Sequence, residues 1–360
     1  MRFLYVAPRF HTNQYYSIKS LLNKHEVFFW ACYNDFSEIY LPIEYEKIKF
    51  SLFSKRTASR LPDKNRMKYL RKRALPNFVW LIKRFIQINP DVVVIRDWSY
   101  TNIIIAVLSK FARKKCILYN QFPVYNSELK QEKHIFNSLY NARISPVYGS
   151  GSIKNKKDHF VPFVIEKSEA RNRRYFKDNK INILIIGKYT KRKRIYEFIK
   201  HLNCKEYMKY YRITVIGQAT SKEQKEYYNK CQSIKGENVE LLKNIPYETI
   251  SKYYLDNDIF ILTSEDEPAS YSIIEAMRYG LVVFSPDENG TSNYIDNGKN
   301  GYIYSTKDFD FVLNKVNLLE KNRELTITMA QRSSEIINQF YESNNYSEKI
   351  EELISNLNNK

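Results

Sequence analysis

Pro90-Asp91-Val92-Val93-Val94-Ile95 is the stretch of the chain that decides the fold. A continuous run of β-branched residues after a turn residue is typical of a parallel strand, which is buried on both faces. The residues that follow fit the same interpretation, because they predict an apolar helix over residues 102–112 and another strand over residues 115–119. Strands that alternate with helices predict a doubly wound parallel sheet.

The same alternation restarts in the second half of the chain. Ile181-Asn182-Ile183-Leu184-Ile185-Ile186-Gly187 predicts a buried strand ended by a glycine, and a helix over residues 195–202 follows. We therefore expect an α/β protein with two Rossmann-like domains, over residues 1–168 and 175–340, and a C-terminal helix over residues 341–360 that packs back on the first domain. Open parallel sheets bind ligands at the carboxyl ends of their strands, so we expect the domains to face each other across a cleft that holds the site.

Composition excludes several classes of protein. The chain has 360 residues, of which 43% are hydrophobic, and only 11 prolines and 9 glycines, so it is neither a linker nor disordered. Its cysteines form no Cys-x-x-Cys pair, which argues against a zinc site or a disulfide framework and fits a reducing compartment. We find no signal peptide at the start and no approach to the roughly 18 apolar residues of a membrane span. We expect a cytoplasmic protein.

Positive charge is concentrated in the first half of the chain. The net charge is +19, and residues 1–170 hold 29 of the 58 lysines and arginines but only 13 of the 39 acids. Such asymmetry is typical of a basic half that meets a polyanion or an anionic membrane. The densest cations are Lys55, Arg56, Arg60, Lys64, Arg66, Lys68, Arg71, Lys72 and Arg73.

Two interpretations of this basic stretch, Lys55 to Arg73, stay open. Interleaved apolar residues favour a cationic interfacial segment, peripheral on the inner face of the membrane. A solvated helix face accounts for the same pattern. Nucleic acid is less favoured as a partner, because no nucleic-acid motif accompanies the charge.

Two glutamates flank a predicted strand-to-helix turn in Ser264-Glu265-Asp266-Glu267-Pro268-Ala269-Ser270-Tyr271-Ser272-Ile273-Ile274-Glu275. Such a turn presents backbone N–H groups and the positive end of the helix dipole, which favour phosphate. Glu267 lies in the loop, and Glu275 lies about one turn into the predicted helix, where its carboxylate can accept both hydroxyls of a ribose. A structural interpretation stays open for each residue: Ser272 to Glu275 matches a capping box, and Glu267 can be a solvated acid.

Five cations follow the strand that Gly187 ends, in Gly187-Lys188-Tyr189-Thr190-Lys191-Arg192-Lys193-Arg194. Paired cations can neutralise the charge that develops on a departing pyrophosphate without a metal ion. A solvated basic loop is the alternative, although the position after a strand and a glycine favours a functional role.

In this order, these segments resemble the retaining GT-B glycosyltransferases of the glycosyl transferases group 1 type. The hallmark of that family is Glu-x7-Glu at the entrance to a helix, which Glu267 and Glu275 match. Glu275-Ala276-Met277-Arg278-Tyr279-Gly280 is similar to the family's Glu-Ala-Met-Ala-x-Gly, and Lys188 and Lys193 stand in the places of its Arg and Lys. The resemblance covers residues 181–305, about a third of the chain.

The resemblance implies a metal-independent, retaining transfer of a sugar from a nucleotide-diphosphate sugar to a hydroxyl of a glycan or lipid-linked acceptor. Surface polysaccharide or glycoconjugate synthesis is the expected setting, and no cofactor is implied. Glu267, Lys193 and Lys188 take the catalytic roles, with the lysines on the diphosphate and Glu267 on the transferred sugar. Glu275 takes the ribose, and the other implied donor contacts are Gly187, Asn244, Pro246, Ala269, Ser270, Tyr271 and Ser272.

Some positions depart from the family pattern. Ala269 stands where glycine is usual, and Lys188 lacks the bidentate fork of arginine. The first domain lacks the glycine-rich turn and the histidine that often follow its strands, so its acceptor-side residues rest on position alone: Arg9, His11, Asn13 and Asp97, each after a predicted strand. For His11, an acid–base role, a bond to the acceptor and simple solvation all stay open.

Two alternatives to a retaining enzyme stay open. An inverting GT-B transferase needs the same fold and donor. A catalytically inactive sugar-nucleotide or glycan-binding protein of this fold is favoured by the missing histidine and the altered glycines. A nucleotide-sugar donor is the expected partner in each case.

Overall fold

The computed structural model describes residues 1–33, 43–125, 135–152, 154–168, 170, 173–204 and 211–358. The chain forms two compact units. Unit 1 comprises Met1–Val164 and Ser343–Lys360, and unit 2 comprises Ile165–Glu342. Each unit is built on its own parallel sheet.

Unit 1 alternates strands and helices for most of its length. Its elements in chain order are β1 (Arg2–Ala7), α1 (Thr12–Leu22), β2 (Glu26–Ala31), β3 (Tyr45–Lys47), α2 (Leu52–Ser59), α3 (Asp63–Lys72), α4 (Phe78–Ile88), β4 (Val92–Arg96), α5 (Tyr100–Phe111), β5 (Lys115–Tyr119), β6 (Ala142–Ser145) and β7 (Asp158–Phe160). Across the described residues the strands form a seven-stranded sheet in the order β3-β2-β1-β4-β5-β6-β7. All of its pairings are parallel, and the central pair joins Leu4 to Val93. The valine run of β4 is buried on both faces of the sheet, as its sequence predicts.

Unit 2 repeats the pattern. Its elements are β8 (Asn182–Ile186), α6 (Ile195–Leu202), β9 (Arg212–Gly217), α7 (Lys222–Gln232), β10 (Val239–Lys243), α8 (Ile250–Asp256), β11 (Ile259–Ile261), α9 (Ser272–Arg278), β12 (Val282–Pro286), β13 (Gly301–Tyr304), α10 (Phe309–Lys321) and α11 (Arg323–Ile336). The described strands form a six-stranded parallel sheet in the order β10-β9-β8-β11-β12-β13. The expected class, two doubly wound α/β domains in series, is confirmed.

The last helix, α12 (Asn344–Asn358), belongs to unit 1. Its apolar face buries Ile350 and Leu353 in the core beside α1 and β1. The hydroxyl of Tyr346 shares a hydrogen bond of 2.9 Å with that of Tyr5, and the N–H of Ser347 donates to Ser20 Oγ at 3.2 Å. Burial and hydrogen bonds therefore fix the end of the chain to the unit in which the chain begins.

Residues 45–88 contain elements that the sequence interpretation did not delimit, namely β3 and the helices α2, α3 and α4. Ser51 Oγ accepts the N–H of Ser54 at the start of α2, and Asn77 Oδ1 accepts the N–H of Trp80 at the start of α4. An antiparallel bridge between Phe50 and Pro76 ties these two starts together. No helix among the described residues combines the length and the apolar character that crossing a bilayer requires.

Candidate active site

The basic loop of unit 2 is anchored at the carboxyl end of β8. The buried ring of Tyr189 lies under the loop, and its hydroxyl donates to the carbonyl of Leu242 at 2.9 Å. Gly217, at the end of β9, leaves room for this approach, because a Cβ there would lie 2.4 Å from the carbonyl oxygen of Gly187 and 2.6 Å from the Tyr189 ring. The loop that carries Lys188 and Lys193 is therefore held against the sheet edge rather than free in solvent.

Glu267 is the anionic centre of a charged cluster in unit 2. Lys193 Nζ forms an ion pair with Glu267 Oε2, and Arg192 Nη1 lies 3.0 Å from the same oxygen. The side chains of Glu267 and Lys193 are only 9% and 14% exposed, so the interpretation of Glu267 as a solvated acid is wrong. Lys188 and Arg192 are exposed at the mouth of the cluster.

The cluster is poised to attract an anion. Burial lowers the pKa of the Lys193 ammonium, the Glu267 carboxylate opposes that shift, and the positive charges of Arg192 and Lys188 lower the pKa further. A poorly hydrated cation loses little water when an anion approaches, and its attraction is less screened than that of a surface lysine. Such a group can balance charge that develops on a leaving diphosphate.

The turn after Glu267 is fixed by hydrogen bonds from the segment before β13. The N–H of Gly290 donates to the carbonyl of Glu267 at 3.0 Å, and the N–H of Ser270 donates to Thr291 Oγ1 at 3.1 Å. The hydroxyls of Ser270 and Ser272 are 2.8 Å apart and share a hydrogen bond. Ala269 is half-buried within this turn, which places the predicted donor contacts 269–272 on one ordered segment beside the charged cluster.

Glu275 is held by two tyrosines. The hydroxyl of Tyr247 donates to Glu275 Oε1 at 2.6 Å, and that of Tyr254 donates to Oε2 at 3.0 Å. Helix α9 begins at Ser272 without a side-chain cap, so the capping-box alternative is wrong. Burial raises the pKa of Glu275, and the two tyrosine hydrogen bonds oppose that shift. Each carboxylate oxygen retains a second lone pair, which leaves two acceptor positions for a diol.

The loop after β10 lies beside this glutamate. Asn244 ties it to the end of β9, because its N–H donates to the carbonyl of Gly217 at 2.9 Å and its Oδ1 accepts the N–H of Ala219 at 2.9 Å. Pro246 is exposed and precedes Tyr247. The sequence analysis predicted donor contacts at Asn244 and Pro246 but missed Tyr247. The available signal was that Tyr247 is an aromatic residue directly after this loop.

Comparison with known proteins gives a family match that lies within unit 2. Residues 166–336, just under half of the chain, match the family model of the glycosyl transferases group 1, and they include the charged cluster and the turn described above.

A curated relative of the chain is the "Uncharacterized 41.2 kDa protein in cps region" of Klebsiella pneumoniae. The two are 21% identical over 198 residues, which span 55% of this chain and half the length of that protein.

Solved structures match the chain over nearly all of its length. A glycosyltransferase from Rickettsia africae ESF-5 has 13% identity and a TM-score of 0.72, with 99% of this chain and 98% of that chain covered. Anabaena HepE in complex with UDP-glucose has 14% identity and a TM-score of 0.72, with 99% and 100% covered. At these identities the likeness establishes the fold alone, which is GT-B.

The residues predicted for the acceptor side lie at the carboxyl ends of β1 and β4. His11 is half-buried at the start of α1, where its N–H donates to Gln14 Oε1 and its Nε2 accepts from Arg9 Nε, both at 3.2 Å. Arg96 Nη1 approaches Asn13 Oδ1 at 3.5 Å. Asp97 follows β4 with a left-handed backbone, at φ 59°. Strands β1 and β4 are neighbours in the sheet, so these four residues share one edge of unit 1.

Proposed function

We propose that this protein is a glycosyltransferase that moves a sugar from a UDP-sugar to a hydroxyl of a glycan or lipid-linked acceptor, with retention at the anomeric carbon and without a metal ion. The observation that carries the proposal is the buried ion pair of Lys193 and Glu267 beside an ordered strand-to-helix turn. The UDP-glucose bound to the similarly folded HepE supports the choice of nucleotide. We assign donor binding to unit 2 and acceptor binding to unit 1.

In the proposed donor complex, Lys193 and Lys188 contact the diphosphate. Lys193 is the buried cation of the pair, and Lys188 is the exposed one. The backbone of Gly187 and of residues 269–272 approaches the phosphates and the sugar. Glu267, whose position is fixed by Lys193 and Arg192, contacts the transferred sugar near the reaction centre.

Glu275 is the proposed ligand of the ribose. Its tyrosine partners orient the carboxylate, and the lone pairs that remain can accept both ribose hydroxyls. The loop of Asn244 and Pro246, which leads into Tyr247, contacts the uracil.

The proposed reaction needs no protein nucleophile. The bond between the anomeric carbon and the diphosphate oxygen breaks while the acceptor oxygen forms a new bond on the same face of the sugar. The acceptor proton passes to the departing diphosphate oxygen. The cations balance the charge on that oxygen, which is the part that a metal ion plays in other transferases.

The acceptor and the location of the enzyme are assigned from unit 1. We expect Arg9, His11, Asn13 and Asp97 to meet the acceptor, since they lie where an open parallel sheet binds its ligands. The relative in a cps region supports synthesis of a surface polysaccharide or glycoconjugate. The exposed cations of the stretch from Lys55 to Arg73 suit a peripheral position on the inner face of the cytoplasmic membrane.

Donor binding is the first test. A thermal-shift screen of nucleotide sugars should find a UDP-sugar that raises the melting temperature, because a ligand that binds only the folded state stabilises it. Glu275→Gln should weaken that shift, because an amide offers one acceptor oxygen instead of two. The matched control is Glu248→Gln, because Glu248 is exposed and directly follows Tyr247. A response to no nucleotide sugar, or equal losses in both variants, would contradict the assignment.

The stereochemistry and the metal requirement need a turnover assay. With a UDP-α-sugar and an accepted acceptor, proton NMR of the first product should show the α anomer, and EDTA should leave the rate unchanged. A β product would establish the inverting alternative. Donor binding without transfer or donor hydrolysis would establish the inactive binding protein instead.

A further inference from the structure

Unit 1 contains a groove of roughly 750 Å³ beside the carboxyl ends of β2 and β3. One wall comes from the residues that end these strands, and the other comes from α2 and α3. The lining residues are Cys32, Tyr33, Lys47, Ile48, Lys49, Phe50, Lys55, Ala58, Ser59, Arg66, Met67 and Leu70. Cations and large apolar side chains dominate this set, and none of these described lining residues is an acid.

Three of the four cations in the groove lack anionic partners within the described part of the chain. Lys47, Lys49 and Lys55 are exposed, and none of them forms an ion pair or a side-chain hydrogen bond with a described residue. Arg66 is different, because its Nε donates to the carbonyl of Ala58 at 3.1 Å and its Nη1 pairs with Asp63 at 3.0 Å. Three lysines are therefore available to bind an external anion. The contacts of Arg66 instead fix the position of α3, the helix in which it lies.

The apolar part of the groove is built into the unit. Ile48 and Phe50 are buried in the core, and Met67 and Leu70 contribute partly buried side chains from α3. Buried Ser54 locks the helices in place, because its Oγ accepts the N–H of Leu75 at 2.8 Å. The groove is thus a fixed feature of the packing of α2 and α3.

The combination of cations and apolar side chains determines which class of ligand the groove can bind. A free sugar or nucleotide needs several hydrogen-bonding groups for its hydroxyls or base. Among the described residues that line the groove, the uncharged hydroxyl groups are those of Tyr33 and Ser59. Lysines favour phosphate, and an apolar wall favours a hydrocarbon chain. The first turn of α2 adds Leu52 and Phe53, which are 71% and 69% exposed, as apolar surface next to Lys55.

We infer that this groove binds the phosphate head and the adjoining chain of a long-chain lipid phosphate, and that this lipid carries the acceptor. Lys47, Lys49 and Lys55 contact the phosphate, and Phe50, Met67 and Leu70 contact the chain. The inference rests on the proposed function only in treating the lipid as the acceptor. Binding of the lipid itself is a separate property of unit 1.

The test is calorimetric titration of the full chain with three probes. Dodecyl phosphate below its micellar concentration should bind. Octaethylene glycol monododecyl ether, which has the same chain and a neutral head, should bind at least tenfold more weakly, and so should inorganic phosphate. Equal affinity for the neutral ether, equal affinity for inorganic phosphate, or no binding of dodecyl phosphate would each overturn the inference.

A pair of charge-reversed variants locates the binding. Lys49→Glu with Lys55→Glu should weaken dodecyl phosphate binding at least tenfold. Lys110→Glu with Lys156→Glu makes the same charge change at exposed positions of unit 1 outside the groove and should leave binding unchanged. Equal weakening by both pairs would mean that overall charge, rather than the groove, attracts the lipid.

Failure of this inference can be told apart from failure of the proposed function. If dodecyl phosphate does not bind but a UDP-sugar is hydrolysed or transferred, only the groove assignment falls. If dodecyl phosphate binds the groove but no UDP-sugar is bound or used, the assignment of the lipid to the groove is correct and the assignment of the donor to unit 2 is wrong. The groove variants should also leave the thermal shift caused by a UDP-sugar unchanged, because the donor is assigned to unit 2.

Discussion

The two units of the chain share a fold but differ in their surfaces. Among the described residues, eleven exposed large hydrophobic side chains belong to unit 1, and only Leu318 and Phe340 belong to unit 2. Charge follows the same division, since residues 1–170 hold 29 cations and 13 acids. Unit 2 instead buries its characteristic charges, as the pairing of Lys193 with Glu267 illustrates.

This difference fits the proposed division, in which unit 2 binds the donor and unit 1 binds the acceptor. The family match covers residues 166–336 and therefore lies in unit 2, to which we assign the donor. Unit 1 lies outside that match, and its exposed apolar and cationic groups suit the acceptor and membrane surface that we propose for it. The predictions below test the division from both sides.

The largest effect is expected from the buried cation of unit 2. Lys193→Ala should lower the rate of sugar transfer by about 100-fold or more, because it removes the least hydrated positive charge beside the departing diphosphate. The measurement is kcat with a saturating UDP-sugar. Lys191→Ala removes an exposed cation of the same loop and serves as the control. Equal losses in both variants would mean that general loop charge, rather than the paired lysine, stabilises the leaving group.

An intermediate effect is expected on the surface of unit 1. Helix α4 exposes Val79, Ile82 and Ile86 along one side, and Lys83 lies among them. Ile82→Asp with Ile86→Asp should reduce binding to vesicles of phosphatidylglycerol by roughly tenfold, because it puts two charges on an interfacial apolar face. The control is Leu318→Asp with Phe340→Asp, which changes the exposed apolar residues of unit 2. Equal losses of vesicle binding by the two pairs of variants would mean that unit 1 has no special role in membrane binding.

The smallest effect concerns the pH dependence of stability. Because burial raises the pKa of Glu275, the folded state binds more protons than the unfolded state as the pH rises above the ordinary value of 4.5. The free energy of unfolding of the wild type should therefore fall relative to Glu275→Gln over that pH range. Urea unfolding at a series of pH values measures the difference. A relative rise, or the same trend in Glu248→Gln, would contradict a buried and desolvated Glu275.

Sequence patterns predicted much of unit 2 and less of unit 1. The helix Ile195–Leu202 has the bounds that its residues predict, and the strand that Gly187 ends begins at Asn182, one residue later than predicted. Helix α4 was not predicted because apolar residues lie on both of its sides. Leu81 and Phe85 are buried, but the exposed side is also apolar, so the sequence shows no clear helical period. Strand β3 is too short, at three residues, to show a period at all.

The candidate site divides in the same way. The spacing of Glu267 and Glu275 marked the turn, because both lie within one segment of sequence. The tyrosine partners of Glu275 are 28 and 21 residues away in the chain, and only the packing of the loop after β10 and of α8 brings them to it. The groove of unit 1 likewise depends on how α2 and α3 lie against β2 and β3, which no local pattern encodes.

Lysine footprinting with UDP tests the central claim most directly. Reductive methylation followed by mass spectrometry, with and without UDP, reports which lysines the diphosphate covers, and uridine controls for the nucleoside alone. We predict that UDP protects Lys188 and Lys193 in unit 2 and leaves Lys49 and Lys55 in unit 1 unchanged. Protection of the unit 1 lysines, or of none of the four, would contradict the assignment of the donor to unit 2.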